Sequence, residues 1–340
     1  MRIALITRYF DSTNAGIGRV SGELLKGLLN RDQEVIPIST TKKSLTEYMS
    51  YSTLDLWMRM PDYADVYHAV TPVESLWMPK DRAITTILDL IPLLNPDKCG
   101  AGIGYNSVLN KIGTSYFGYC AKSAARNSRF ITTIAESTKQ EICEVFKVNP
   151  DKVKVIRPGV RTDLKPSFYQ LMSGRTFGYL GQLDRRKRVD VLITSFLQSA
   201  GADSKLLIAG SGRDKDKLKA LAKDDSRIAF LGFVEDDELC GFYNSLDFFI
   251  FPTWAEGYGL PIVEAAACGT PIITLEDSCI PSDVKEHTIV VGSLDEFFDC
   301  PECFEPTEVE LLESVKWAHK HNWDDYVEAH IELYKEVLNV

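Results

Sequence analysis

Apolar segments of two kinds alternate along this chain, and that alternation limits its fold more than any other feature. Strand-like runs occur at Met1–Thr7, Glu34–Pro37, Val66–His68, Ala83–Leu88, Arg129–Thr133 and Val153–Ile156. Helix-like stretches separate them at Gly18–Asn30, 44–59, Tyr105–Asn127 and Glu136–Phe146. Strand, helix and strand in repetition predict a parallel sheet with helices on both faces. Arg161–Gly174 breaks the pattern with mixed polarity, Pro166 and Gly174, and reads as a linker. The alternation then restarts. Strands are expected at Thr176–Leu180, Ser204–Ala209, Arg227–Phe230, Phe248–Phe251 and Pro271–Thr274. Helices are expected at Val189–Gln198, Asp214–Lys223, Asp236–Asn244 and Leu260–Cys268. A last helix, Trp323–Leu338, has Tyr326, Val327, Ile331, Tyr334 and Val337 at helical spacing and needs a core to dock on.

The chain's 340 residues suit two domains of roughly 150 residues each. A hydrophobic fraction of 45% supplies two cores, which excludes disorder and a disulfide-stapled miniprotein. The net charge of -10 argues against a nucleic-acid-coating surface, which needs a basic face. It leaves room for a local basic pocket. No apolar run reaches the length of about 18 residues that spans a membrane. The first residues read as a strand and not as a signal peptide, so the cytoplasm is the expected compartment. Cys300 and Cys303 have C-x-x-C spacing, but no second knuckle completes a structural zinc site. One stretch inverts the charge balance. Residues 98–135 hold Lys98, Lys111, Lys122, Arg126 and Arg129 and no Asp or Glu. Two readings stand: a peripheral face for anionic lipid or an anionic acceptor, and a solvated helix face.

Gly16-Ile-Gly18-Arg19 invites a dinucleotide reading. That motif requires a glycine directly after the first strand and an acid closing the second. Here Arg8–Gly16 intervenes and the second strand runs into Pro37-Ile38-Ser39, so NAD is excluded. What remains is a helix-entry loop, or a loop whose glycines admit a phosphate to a helix N-terminus.

The most informative stretch is Phe251–Pro271. A strand ends at Pro252, a loop carries Glu256, Gly257 and Gly259, and Pro261 opens a helix that Gly269 closes. Strand end, glycine loop and helix N-terminus make a ligand site in α/β sheets. Backbone N–H groups between Gly259 and Ile262 are expected to face an anion. Glu264 lies a turn further in and Glu256 lies on the loop. Carboxylates repel phosphate, so these two suit the hydroxyls of a ligand with a phosphate centre and polyhydroxyl ends, as in a nucleotide sugar.

The Glu256-x7-Glu264 spacing resembles the signature of family-4 glycosyltransferases. Gly16-Ile-Gly18-Arg19, Leu88-Asp89-Leu90-Ile91-Pro92, Val155–Val160, Gly178–Lys187, Gly210-Ser211-Gly212 and Leu231–Val234 resemble further family elements, in the family's order. The resemblance implies an α/β GT-B fold: two Rossmann-like, doubly wound domains facing across a cleft. Residues 1–165 would form the acceptor-side domain, with helix 320–340 packing back on it, and 166–319 the donor domain. It implies a retaining hexosyltransferase that moves sugar from a GDP- or UDP-linked donor to a hydroxyl of a glycan or lipid-linked glycan. Glu264 would hold the ribose and Glu256 a sugar hydroxyl. The backbone of Gly257, Tyr258, Gly259 and Leu260 would meet sugar and diphosphate. Lys187 would neutralise the leaving diphosphate, with Arg186 beside it. Gly16 and Gly18 belong to the first donor loop, Phe233 and Val234 lie near the base, and Asp89 is on the acceptor side.

Two positions depart from the family pattern. Leu88 stands where a histidine is common, and Gln182 where an arginine is common. His68, if it faces the cleft from its strand's C-terminal end, is a candidate substitute for the first, a packed or surface histidine being the other reading, and Arg185 or Arg186 is a candidate for the second. The departures keep a non-catalytic nucleotide-sugar binder open as a second reading. A phosphorylase or sugar–nucleotide synthase of the same fold is a third. Asp214-Lys215-Asp216 resembles a metal motif of another glycosyltransferase class, but helix capping accounts for it better. No essential metal or cofactor is expected.

Overall fold

A computed structural model describes residues 1–11, 15–39, 45–96, 108–167 and 174–339. The chain forms two compact units, one of Met1–Gly159 with Trp323–Val340, the other of Val160–Asn322.

The first unit runs β1 (Arg2–Ile6), α1 (Ala15–Leu29), β2 (Glu34–Ile38), α2 (Leu45–Ser50), a π turn (Tyr51–Asp55), α3 (Leu56–Arg59), β3 (Val66–Ala69), β4 (Ala83–Thr86), α4 (Ile91–Leu94), α5 (Val108–Asn127), β5 (Phe130–Thr133), α6 (Glu136–Phe146) and β6 (Val153–Val155). The strands are parallel in the order β2-β1-β3-β4-β5-β6. β3, β4 and β5 are buried along their whole length, as a sheet covered on both faces requires. Pro37, which lacks an N–H, is tolerated because β2 is an edge strand. The order reverses between β1 and β3, so α1 begins just beyond the switch point.

The second unit runs β7 (Thr176–Leu180), α7 (Val189–Ser199), β8 (Lys205–Ala209), α8 (Lys215–Leu221), β9 (Ile228–Gly232), α9 (Leu239–Asn244), β10 (Phe248–Ile250), α10 (Leu260–Ala267), β11 (Ile272–Leu275), α11 (Ser282–Lys285), β12 (Ile289–Val291), α12 (Leu294–Asp299) and α13 (Glu308–Ala318). Its parallel order is β12-β11-β10-β7-β8-β9. Phe177 anchors the core in contact with Phe196, Phe248, Phe297 and Phe298 at centroid distances of 5.1 to 6.3 Å. β12 and α11 to α13 were not anticipated. Three- to six-residue elements carry too little periodicity, and α13 buries only Ala318 fully. The described part of the expected linker, Arg161–Ser167, packs onto this unit. Leu164 is fully buried, and the Ser167 N–H donates to Asn244 Oδ1 at 2.6 Å. Cys300 and Cys303 are joined in a disulfide.

The final helix, α14 (Trp323–Leu338), belongs to the first unit and packs on α1. It buries Tyr326, Val327, His330, Ile331, Leu333, Tyr334 and Val337, a stripe at helical period. The two helices approach so closely that a Cβ on Gly27 would fall 2.3 Å from Val327 Cγ2.

This docking buries His68, in line with the packed reading of that residue and not the ligand one. The residue lies within β3, fully buried, with one ring nitrogen 2.7 Å from the Tyr334 hydroxyl and the other 2.8 Å from Thr86 Oγ1. Its ring stacks on His330 at 5.3 Å. Burial, and then the neighbouring His330, hold its pKa well below the ordinary histidine value. It is a core residue, because α14 covers the strand position that a sequence reading leaves open to ligand. Asp89 is engaged close by in the chain, where its Oδ1 accepts the Ile91 N–H at 3.1 Å at the start of α4.

Candidate active site

In the second unit the strand order reverses between β7 and β10, which pair with one another. Ligands in open α/β sheets bind beyond the strand C-termini at such a point. The two loops leaving these strands carry the acid and base residues of interest.

The loop after β7 holds Arg185–Lys187 as a turn of 3-10 helix, followed by Arg188 in the left-handed conformation (φ 52°). It packs against the loop after β8. A Cβ on Gly212 would lie 2.3 Å from the Leu183 carbonyl oxygen, and Gly210 has φ 120°, so both positions require glycine. The loop after β10 is held from both sides. The Trp254 N–H donates to the Arg186 carbonyl (2.8 Å), and Glu256 N–H to the Cys279 carbonyl (3.0 Å). Arg188 ties the same loop down. Its Nε donates to the Pro252 carbonyl (2.7 Å), and its terminal nitrogens reach Asp277 Oδ2 and Oδ1 at 2.7 and 2.9 Å.

These constraints bring Glu256 against three donors. Lys187 Nζ lies 2.5 Å from Glu256 Oε1, Thr253 Oγ1 2.6 Å, and Arg186 Nη1 3.2 Å. The Lys187 and Glu256 side chains are 8% and 10% exposed. Burial alone would raise the Glu256 carboxyl. The charges of Lys187 and Arg186, and the bonds from Lys187 and Thr253, outweigh it and leave the pKa below the ordinary value. Burial lowers Lys187 in turn, and Glu256 opposes that shift.

α10 begins at Leu260 after Gly259, whose φ of 99° suits glycine alone among common residues. Pro261 occupies its first turn. The Ile262 N–H, expected to face an anion, donates instead to the Gly259 carbonyl at 2.9 Å. The Tyr258 side chain is buried. Glu264 is buried on α10 and its Oε2 accepts the hydroxyl of Tyr243 at 2.9 Å. Phe233 and Val234 follow β9, and Phe233 is exposed.

The structure thus groups Arg186, Lys187 and Glu256, with Gly257–Leu260 and Glu264 following on the same loop and helix. Gly16 and Gly18 lie in the first turn of α1 in the other unit, Gly16 exposed and Gly18 buried. Thr253 and Tyr243 are supporting residues that the sequence reading missed, and Arg188, there part of a basic run expected to face phosphate, is bound to Pro252 and Asp277. Thr253 lies three residues before Glu256, but its role depends on how the loop turns back. Asp214 precedes α8 without capping it; its carboxylate takes Lys217 Nζ at 3.3 Å. Among the described residues no group of three or more His, Cys, Asp or Glu side chains could hold a metal ion.

Residues 174–300 match the family described as "Glycosyl transferases group 1". An uncharacterized glycosyltransferase of Methanocaldococcus jannaschii is 32% identical over 160 residues, covering 42% of this chain and 41% of that protein. The chain therefore spans less than half of that relative. The O-antigen chain mannosyltransferase B of Escherichia coli is 23% identical over 344 residues, covering 87% of each. Among solved structures, sucrose-phosphate synthase of Thermosynechococcus elongatus superposes with a TM-score of 0.79 at 14% identity, over 100% of this chain and 99% of that one. Anabaena HepE in complex with UDP-glucose gives 0.71 at 15% identity, over 99% and 100%. The fold is GT-B, and the match to glycosyl transferases group 1 falls within the second unit.

Proposed function

We propose that this chain is a retaining hexosyltransferase of the family-4 type. It moves a sugar from a nucleoside diphosphate to a hydroxyl of a glycan or lipid-linked glycan. The observation that carries the reading is the meeting of Lys187, Arg186 and Glu256 at the switch point of the second sheet. It falls on the stretch that matches glycosyl transferases group 1. The UDP-glucose of HepE and the mannosyl transfer in the name of the E. coli relative support a nucleotide-sugar donor and a glycan acceptor.

In this proposal the second unit holds the donor, GDP- or UDP-linked, with Phe233 and Val234 toward the base. Glu264, fixed by Tyr243, binds the ribose hydroxyls. Glu256 accepts from a hydroxyl of the transferred sugar while keeping Lys187 and Arg186 in place. Those two cations stabilise the diphosphate as it gains charge. The bond from the anomeric carbon to the phosphate oxygen breaks, and the acceptor oxygen bonds to the same face. The acceptor proton passes to the leaving diphosphate, so no enzyme nucleophile is needed. The first unit takes the acceptor, with Asp89 on that side. Gly16 and Gly18 offer the N-terminus of α1 to an anionic group.

Proton NMR of the product tests the mechanism: the anomeric configuration of the donor should be kept, and an inverted product rejects it. Lys187→Ala should lower kcat by roughly 10²–10³-fold, the size expected when one stabiliser of developing charge is lost. Unchanged kcat removes Lys187 from the reaction. Donor binding without transfer or hydrolysis would favour a non-catalytic binder, and turnover that requires inorganic phosphate would favour a phosphorylase.

A further inference from the structure

Three of the five cations in residues 98–135 share one helix face. Lys98 lies outside the described residues, and Arg129 precedes β5 with its guanidinium over the Phe130 ring. The other three cations, Lys111, Lys122 and Arg126, are exposed on α5. At 100° per residue they fall within a stripe that also contains Ile112 and Tyr119. The stripe has no carboxylate, because α5 contains none. In a chain of net charge -10 that is a local reversal of sign.

Exposed apolar groups extend the same region. Tyr116, one turn from both Ile112 and Tyr119, bonds through its hydroxyl to Ser52 Oγ (2.7 Å), and Trp77 Nε1 donates to the Ser52 carbonyl (3.2 Å). The π turn, α3 and Trp77 therefore adjoin the apolar edge of the α5 stripe. On this stretch Leu54, Trp57 and Met58, at i, i+3 and i+4, point outward. Together with Trp77, Ile112 and Tyr119 they are 44% to 65% exposed. Asp55, half-buried, is the one carboxylate of 51–59, and Arg59 offsets it. Scattered surface apolar residues are ordinary, but tryptophans and aliphatics grouped beside cations that have no carboxylate on their own helix are not. Tryptophan favours the headgroup boundary of a bilayer, and lysine and arginine are drawn to anionic headgroups.

We propose that the outer face of α5, with Leu54, Trp57, Met58 and Trp77, docks the first unit onto an anionic lipid surface. The apolar side chains enter the headgroup boundary and Lys111, Lys122 and Arg126 meet the phosphates. No helix among the described residues is long and apolar enough to cross a membrane, so this contact would be interfacial. The surface does not depend on the transferase reading and is tested without turnover.

The test is co-sedimentation of the full chain with vesicles of phosphatidylcholine alone or mixed with phosphatidylglycerol. Binding should require phosphatidylglycerol and weaken as salt is raised. Each cation near such a surface contributes roughly fivefold in affinity. The Lys111→Gln, Lys122→Gln, Arg126→Gln variant should therefore bind on the order of a hundredfold more weakly. The Trp57→Ser, Met58→Ser variant should bind at least about tenfold more weakly while keeping its salt dependence. All five positions are exposed, and an unchanged melting temperature confirms that each variant is folded. Equal binding to neutral vesicles, no binding to either, or full binding by the cation variant overturns the proposal. So does a concentration-dependent dimer in light scattering that the Trp57→Ser, Met58→Ser variant abolishes, since the face would then belong to a second copy.

Discussion

Glu256 and Glu264 sit eight positions apart and meet opposite surroundings. Glu256 is pressed against Lys187, Arg186 and Thr253, whereas Glu264 takes the neutral hydroxyl of Tyr243. A carboxylate in contact with two cations serves to hold charge in place. One fixed by a buried phenol is set to receive further hydroxyl donors. Tyr243 is therefore a positioning residue for the proposed ribose contact. Tyr243→Phe keeps the ring and removes one hydrogen bond of about 0.5–1.5 kcal/mol. Nucleotide affinity measured by calorimetry should fall about two- to tenfold with the fold intact; unchanged affinity would make that bond merely structural. The acids and glycines of this site were legible because they share one stretch of about ten residues. Tyr243 and the contacts of Arg188 were not. Their partners lie 21 and 64 or more positions away, and spacing carries no information at that range.

At the scale of elements, α14 shows what periodicity can and cannot say. Its bounds, Trp323–Leu338, and its apolar stripe follow from side-chain spacing. The spacing does not say that His330 enters the stripe, or that it stacks on His68 of β3. Burial depresses His330 to a pKa of about 4, below its ordinary 6.5, and depresses His68 as well. The unfolded chain therefore takes up these protons first. The stabilisation is complete above pH 6.5 and is lost as the pH falls toward 4, on the order of 3 kcal/mol for His330. Thermal melts should show a steep loss of stability across that window, and His330→Phe should flatten it. A slope unchanged in the variant would place the acid sensitivity elsewhere. The Glu256 carboxyl adds a loss of the same sign at lower pH, since its folded pKa lies below the ordinary glutamate value.

At the scale of the whole molecule, the two parallel sheets, of six strands each among the described residues, reverse order once, and each reversal opens an edge where loops diverge. A nucleotide that binds the folded second unit and not the unfolded chain stabilises it by about 2.7 kcal/mol at a hundredfold excess over Kd. Melting curves with UDP and GDP should show which base is preferred, and Glu264→Ala should abolish the shift. A shift that survives the substitution would move the nucleotide elsewhere. The alternation of short apolar runs with helical stripes was enough to define the α/β class, the parallel sheets and the glutamate loop. These are local properties, set by side-chain period, turn residues and helix caps within one segment. Strand order, the pairing of Lys187 with Glu256 and the burial of His68 under α14 came with tertiary packing. Each joins residues tens to hundreds of positions apart, and such contacts form only when sheet and helix bury their apolar faces together.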